Sequence, residues 1–115
     1  LSKQNKNYDF ILNISEDGWF GDSIGIVQHF SHSIFRSIEE GKDVIRVTNN
    51  GVSAHVNNKG FINQKIDSTI KGTFEINSIS KPKETIFSKY GNKIFFCLIF
   101  LYITLIFLLK KKIIK

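Results

Sequence analysis

The chain contains no methionine, one cysteine, one proline, one tryptophan and two arginines among its 115 residues. Each scarcity narrows the possibilities. A lone thiol, Cys97, cannot close an intrachain disulfide and cannot build a cysteine metal site, and it says nothing firm about redox compartment. Arginine confined to Arg36 and Arg46 argues against a nucleic-acid surface, which needs clustered basic residues interleaved with aromatics. The net charge of +6 does not rescue that class, because Lys110, Lys111, Lys112 and Lys115 carry four of it and leave +2 for the remainder. A sequence that opens on Leu1 and holds no Met carries the expectation of being a piece of something longer. Alanine and proline are scarce while Phe, Ile, Lys and Asn are abundant, the signature of an AT-rich genome and a bias to discount. No internal repeat and no signal-peptide pattern is visible.

What is present is organised around Ser15-Glu16-Asp17-Gly18-Trp19-Phe20-Gly21-Asp22-Ser23-Ile24-Gly25, a glycine-punctuated loop holding the sole tryptophan. A short apolar run, residues 8–14, leads into it. Its length, aromatics and branched residues predict a strand buried on both faces. After the loop, Val27, Phe30, Ile34, Phe35 and Ile38 recur at spacings of three and four, which predicts a helix with one apolar stripe. Ser31, Ser33, Arg36, Ser37, Glu39 and Glu40 fall on its polar side, and Gly41 is its stop. A loop leaving a buried strand and entering a helix is where α/β folds place ligand-handling residues.

Two further strands are expected at residues 44–48 and 52–56, separated by Asn49-Asn50-Gly51. A hairpin through Asn57-Asn58-Lys59-Gly60 then leads to a partner at 61–66. Residues 70–76 alternate weakly and could add one more strand. This order predicts a mixed sheet rather than a purely parallel one. Residues 78–92 hold Pro82 and several charges and read as a juxtamembrane linker. From Ile94 to Leu109 there is no charged residue. Such a helix spans about 24 Å at 1.5 Å per residue, short of the roughly 30 Å hydrocarbon core, and snorkelling by Lys93 and Lys110 can close the gap. Having no polar face, it reads as a transmembrane helix rather than a core helix. The Lys110-Lys111-Lys112 cluster predicts a cytoplasmic C-terminus and an outward-facing domain.

Several residues have both a functional and a bland reading. Trp19 and Phe20 can line an entrance for substrate or simply plug the loop into the core. His29 and His32 lie three apart on a helix but have no third metal-ligand type in reach, so no metal is expected. Arg36 and Glu39 at i, i+3 suit an ion pair on a solvated face. Asn49 and Asn50 can orient groups near a pocket or serve only as a strand-end turn. Asn13-Ile14-Ser15 fits a glycosylation sequon but sits at a buried strand end.

Taken together, Asp17 to Gly25, then Gln28-His29-Phe30, Arg36 with Glu39, Arg46-Val47-Thr48-Asn49-Asn50-Gly51-Val52-Ser53-Ala54, and Thr85 with Gly91-Asn92 resemble the C-terminal end of the apolipoprotein N-acyltransferases. These are bacterial inner-membrane enzymes of the nitrilase (carbon–nitrogen hydrolase) superfamily. The resemblance covers most of residues 8–109. It implies an α/β fold, the C-terminal part of a nitrilase-like α-β-β-α sandwich, followed by one transmembrane helix. The implied boundaries are 1–77 for the domain piece, 78–92 for the linker, 93–110 for the helix and 111–115 for a basic cytoplasmic tail. The soluble part would be periplasmic. The chemistry it implies is transfer of an acyl chain from a phospholipid, through a cysteine thioester, to the N-terminal amine of a diacylated lipoprotein, with no cofactor. A Glu base and an oxyanion-holding Lys complete the family's set, and all three catalytic residues lie upstream of the matched segment.

On that reading Trp19, Phe20 and Gly21 form a substrate loop and Arg36, Glu39, Asn49 and Asn50 support it. No catalytic residue lies in this chain, and the missing N-terminal half is a partner. Two departures stand out. Glu16 replaces the family's usual Asn and could disturb substrate handling, and Asp43 replaces a usual Pro at the expected cost of some rigidity. The alternative from another class is a small tail-anchored membrane protein with a binding or structural role.

Overall fold

A computed structural model describes residues 7–115. The first six residues of the expected domain piece 1–77 lie outside that range. The protein is a mixed α/β structure built on one four-stranded sheet in the order β1-β2-β3-β4. Strand β1 spans Phe10–Glu16, helix α1 Gly25–Glu40, β2 Asp43–Asn49, β3 Ser53–Val56, β4 Ile62–Ile66, α2 Ile86–Tyr90 and α3 Lys93–Ile114. A single 3-10 turn, Gly18–Phe20, sits in the loop between β1 and α1. Strands β1 and β2 are parallel and joined by α1 as a crossover, whereas β2–β3 and β3–β4 are antiparallel. This is the mixed sheet expected from the order of the elements.

Strand register explains what is buried. Ile11 pairs with Val44 and Asn13 with Arg46, while Val44 and Arg46 pair in turn with Val56 and Ala54. Side chains of paired residues share a face, so these residues line the side on which α1 packs. The core is Phe30 from α1 against Val44, Val52, Ala54 and Val56, flanked by Ile11, Ile26 and Ile34. Each fully buried apolar side chain there contributes about 1.5–3 kcal/mol, so a core this small has little surplus to lose.

The expectation for β1 does not hold. It is not covered on both faces: Phe10, Leu12 and Ile14 are exposed, Ile14 to 77%, because the described chain places a helix on one side of the sheet only. The stripe on α1 is also different. Val27, Phe35 and Ile38 are exposed, and the buried positions are Phe30, Ser33 and Ser37. Small hydroxyl residues let the helix sit close to the sheet and supply hydrogen bonds there. Ser37 Oγ donates to the Ile34 carbonyl, which satisfies it within the helix.

Gly41 ends α1 in the left-handed conformation at φ 64°, as its position suggests. The hairpin turn at 57–60 is closed by Asn57 Oδ1, which accepts from the N–H groups of Lys59 and Phe61. Residues 70–76 form no strand. The run 78–92 contains α2, and hydrogen bonds fasten its first part to the sheet: Lys83 N–H donates to the Gly41 carbonyl and Asn58 Nδ2 to the Lys81 carbonyl. Asp43 is far more than a loss of rigidity. It is fully buried and accepts from His55 Nε2 at 2.7 Å, the Asn58 N–H at 2.8 Å and the Ser80 N–H at 3.1 Å.

Helix α3 is 22 residues long, an 18-residue stretch of it has a mean hydropathy of 2.3, and it is the one described helix long and apolar enough to cross a membrane. It runs through Lys110, Lys111 and Lys112 instead of stopping at them, reaching about 33 Å. Basic residues in its last turn also suit the negative end of the helix dipole.

Candidate functional site

Parallel strands joined by a crossover helix leave their carboxyl ends side by side, and ligands of open α/β sheets bind there. In this chain the carboxyl ends of β1 and β2 bring together Glu16, the Gly18–Phe20 turn, Asn49 and Asn50. Register places Ile14, Glu16, Val47 and Asn49 on the sheet face opposite α1, where they line an open groove of 610 Å³ together with Ser15 and Thr48. Its floor is apolar, with Ile14 and Val47 both exposed, and its rim is polar.

One carboxylate holds this crest in place. Asp17 is completely buried. Its Oδ2 accepts from Arg46 Nη2 at 2.7 Å, and its Oδ1 accepts from His29 Nδ1 at 2.7 Å and Ser15 Oγ at 2.9 Å. Its backbone N–H donates to the Asn49 carbonyl, joining the β1 exit to the β2 exit. Arg46, equally buried, also donates from Nη1 to Ser33 Oγ and from Nε to the Val52 carbonyl. Ser33 Oγ accepts a further hydrogen bond from Asn13 Nδ2. The guanidinium therefore joins the loop after β1, α1 and the loop after β2. Burial alone would raise the Asp17 pKa. The hydrogen bonds from Arg46, His29 and Ser15, with the Arg46 charge, more than offset this and hold the carboxyl below its ordinary range.

Gly51 belongs to the same assembly, since a Cβ there would lie 2.2 Å from Asp17 Oδ2. Asn50, at φ 58°, makes the left-handed turn that delivers Gly51 to that spot.

Glu16 takes part in the loop's own hydrogen bonding. Its Oε1 accepts from the Gly18 N–H at 2.7 Å and its Oε2 from Asn49 Nδ2 at 2.8 Å. Trp19 and Phe20 then part ways. Phe20 folds back against the first turn of α1 so closely that a Cβ on Gly25 would meet its ring, and it lies 5.4 Å from the His29 imidazole. Trp19 is 87% exposed and plugs nothing in the described residues. Gly21, at φ 52°, turns the chain out of the loop.

The remaining sequence candidates lie elsewhere. Arg36 reaches Glu39 and Glu40 at 3.6 Å each on a partly exposed helix flank, pairs that contribute a few tenths of a kcal/mol. Arg36 and Glu39 also line a separate 360 Å³ groove beside the free edge of β1, with Asn13, His29, His32 and Arg46. His29 is committed to Asp17 and Phe20.

Sequence reasoning quoted Asp17 and Arg46 only as parts of a motif and missed the bridge between them. The signal was available in period: Arg46 alternates with Val44 and so falls on the core side of β2.

The chain is 39% identical over 117 aligned positions to the apolipoprotein N-acyltransferase of Rickettsia bellii, covering 96% of this chain and 22% of that protein. It is 38% identical over 110 positions to that of Wigglesworthia glossinidia brevipalpis, covering 89% and 22%, and 43% over 94 positions to that of Rickettsia prowazekii, covering 76% and 18%. The chain is a relative of the apolipoprotein N-acyltransferases. It spans about a fifth of their length. No protein-family model matches it.

Proposed function

We propose that this chain supplies one wall of an apolipoprotein N-acyltransferase: the crest that receives substrate, and the final membrane helix. The observation that carries this reading is the exposed Trp19 held on a rigid mount. The mount is the buried Asp17–Arg46 bridge at the carboxyl ends of parallel strands, in a chain related to these enzymes along nearly its whole length. The reaction would pass an acyl chain from a phospholipid to the N-terminal amine of a diacylated lipoprotein. The apolar groove floor of Ile14 and Val47 suits an acyl chain, and the Glu16–Asn49 rim suits the polar acceptor.

The chain carries no group suited to be the nucleophile. Its one thiol, Cys97, lies on the apolar α3 and not among the residues of the crest. The nucleophile, base and oxyanion support would come from the rest of the protein, packed against the uncovered sheet face in a nitrilase-like α-β-β-α sandwich. The exposed Phe10, Leu12 and Ile14 are what such a second layer would cover. Helix α3 would cross a bacterial inner membrane with its lysine end cytoplasmic and the sheet in the periplasm.

The test is complementation. The chain would be co-expressed with a Rickettsia bellii enzyme truncated to lack the matched segment, and acyl transfer to a diacylated lipopeptide measured. Activity is expected from the pair and from neither piece alone. Transfer by the chain alone, abolished by Cys97→Ser, would overturn the proposal, as would a co-purifying but inactive pair.

A further inference from the structure

The Asp43 cluster plays no part in the crest, which lies at the opposite end of β2, roughly 20 Å away at 3.3 Å per residue. Yet it has the marks of a built feature: a fully buried carboxylate at a strand start that receives three N–H donors from three separate segments. His55 Nε2 comes from β3, the Asn58 N–H from the hairpin turn and the Ser80 N–H from the run before α2. With the carboxylate accepting, His55 is the donor of its pair. Burial alone would raise the Asp43 pKa, but the hydrogen bonds from Ser80, His55 and Asn58 outweigh it and hold the group below the ordinary carboxylate range.

Ser80 begins a series of fastenings. Asn58 Nδ2 donates to the Lys81 carbonyl at 2.9 Å and the Lys83 N–H donates to the Gly41 carbonyl at 2.8 Å. Thr85 Oγ1 reaches the Glu39 carbonyl at the end of α1 while also capping α2 in a reciprocal box with Ser88. Gly41 is sterically required here, because a Cβ would lie 1.9 Å from the Lys83 carbonyl oxygen.

We propose that residues 80–85 form a strap, with Asp43 as its keystone, that locks α2 and α3 in a fixed position on the sheet domain. The segment that looks like a linker is a rigid coupling, and Asp43 is a positioning residue for the apolar helix. Of the residues the strap uses, Asp43 is the one whose carboxylate binds both the strap and the hairpin that carries Asn58. Removing its charge should release the coupling at its first point and leave the crest, at the far end of β2, undisturbed.

The experiment measures spin-label distances in the full chain in detergent micelles, on a Cys97→Ser background. Labels at Phe35→Cys and Phe95→Cys, both exposed positions, report α3 against α1. Labels at Phe35→Cys and Gln64→Cys report the sheet domain alone. A single narrow Phe35–Phe95 distribution is expected, lost in Asp43→Asn, where an amide N–H₂ faces donors that need an acceptor, while the Phe35–Gln64 distance stays narrow. Should Asp43→Asn broaden both pairs, Asn58→Ala decides. It deletes only the side-chain bond to the Lys81 carbonyl and should broaden the first pair alone. The proposal is overturned if the Phe35–Phe95 distribution is already broad in the unsubstituted chain, or if it stays narrow in both variants.

Discussion

Cutting the Asp17–Arg46 bridge on one side should cost far more than removing it altogether. Both side chains are fully excluded from solvent and their charged atoms are 2.7 Å apart. Arg46→Met leaves the Asp17 carboxylate in that environment with His29 and Ser15 as its remaining donors. Breaking a buried pair from one side costs about 3–5 kcal/mol, because the partner is left charged and desolvated. Asp17→Leu does the same to Arg46, which would keep Ser33 Oγ, the Val52 carbonyl and the neutral His29 Nδ1 as its partners. Joining the two substitutions removes both charges at once. The double variant should then be destabilised by at least about 2 kcal/mol less than the sum of the singles. Urea unfolding of the chain in micelles, followed by far-ultraviolet circular dichroism, gives the three free-energy differences. Additive costs would refute the reasoning, since they would mean that neither charge depends on the other. The same series has a pH signature. Because the folded-state pKa of Asp17 is depressed, its contribution is complete above the ordinary carboxylate range and is lost as the pH falls through that range and below it.

Three further outcomes follow from single contacts. Gly51→Ala should destabilise by roughly 2 kcal/mol or more, since its Cβ would overlap Asp17 Oδ2 in a pocket with no room to yield, and the thermal midpoint of the chain reports it. Trp19→Ala should change stability by no more than about 0.5 kcal/mol, the side chain being exposed, yet lower acyl transfer in the complemented pair; an unaltered rate would remove Trp19 from the substrate path. Between pH 6 and 3 the urea midpoint should fall less in Asp43→Asn than in the unsubstituted chain. The depressed Asp43 pKa makes its contribution one that acid removes, and the variant has already lost it.

Local chemistry was readable wherever a residue's role depends on its neighbours in sequence. Gly41 as a helix stop, the Asn57–Gly60 turn, the mixed strand order and the apolar α3 all follow from propensity and period. The run 70–76 misled because weak alternation carries no information about whether a partner strand is available. β1 misled for a related reason. Phe10, Leu12 and Ile14 have the composition of a strand covered on both sides, and the described chain covers only the side facing α1. The relatives the chain matches are about five times its length.

The polar core was hidden by a different effect. Ser33, Ser37, Arg46, Asp17 and Asp43 look like solvent-facing residues because each is costly to bury alone. Burial becomes tolerable only when the partners arrive together, and here they come from segments 29 residues apart in one case and 37 in another. Pairing at that range leaves no trace in a sliding window. It does leave a trace in register. Once β2 is known to be a strand, Val44 and Arg46 must share a face. An arginine beside a core valine needs a buried carboxylate, and Asp17 stands at the end of the strand that pairs with β2. The crest that holds Trp19 was therefore legible only after topology was fixed, by asking where a charge forced inward could find its counter-ion.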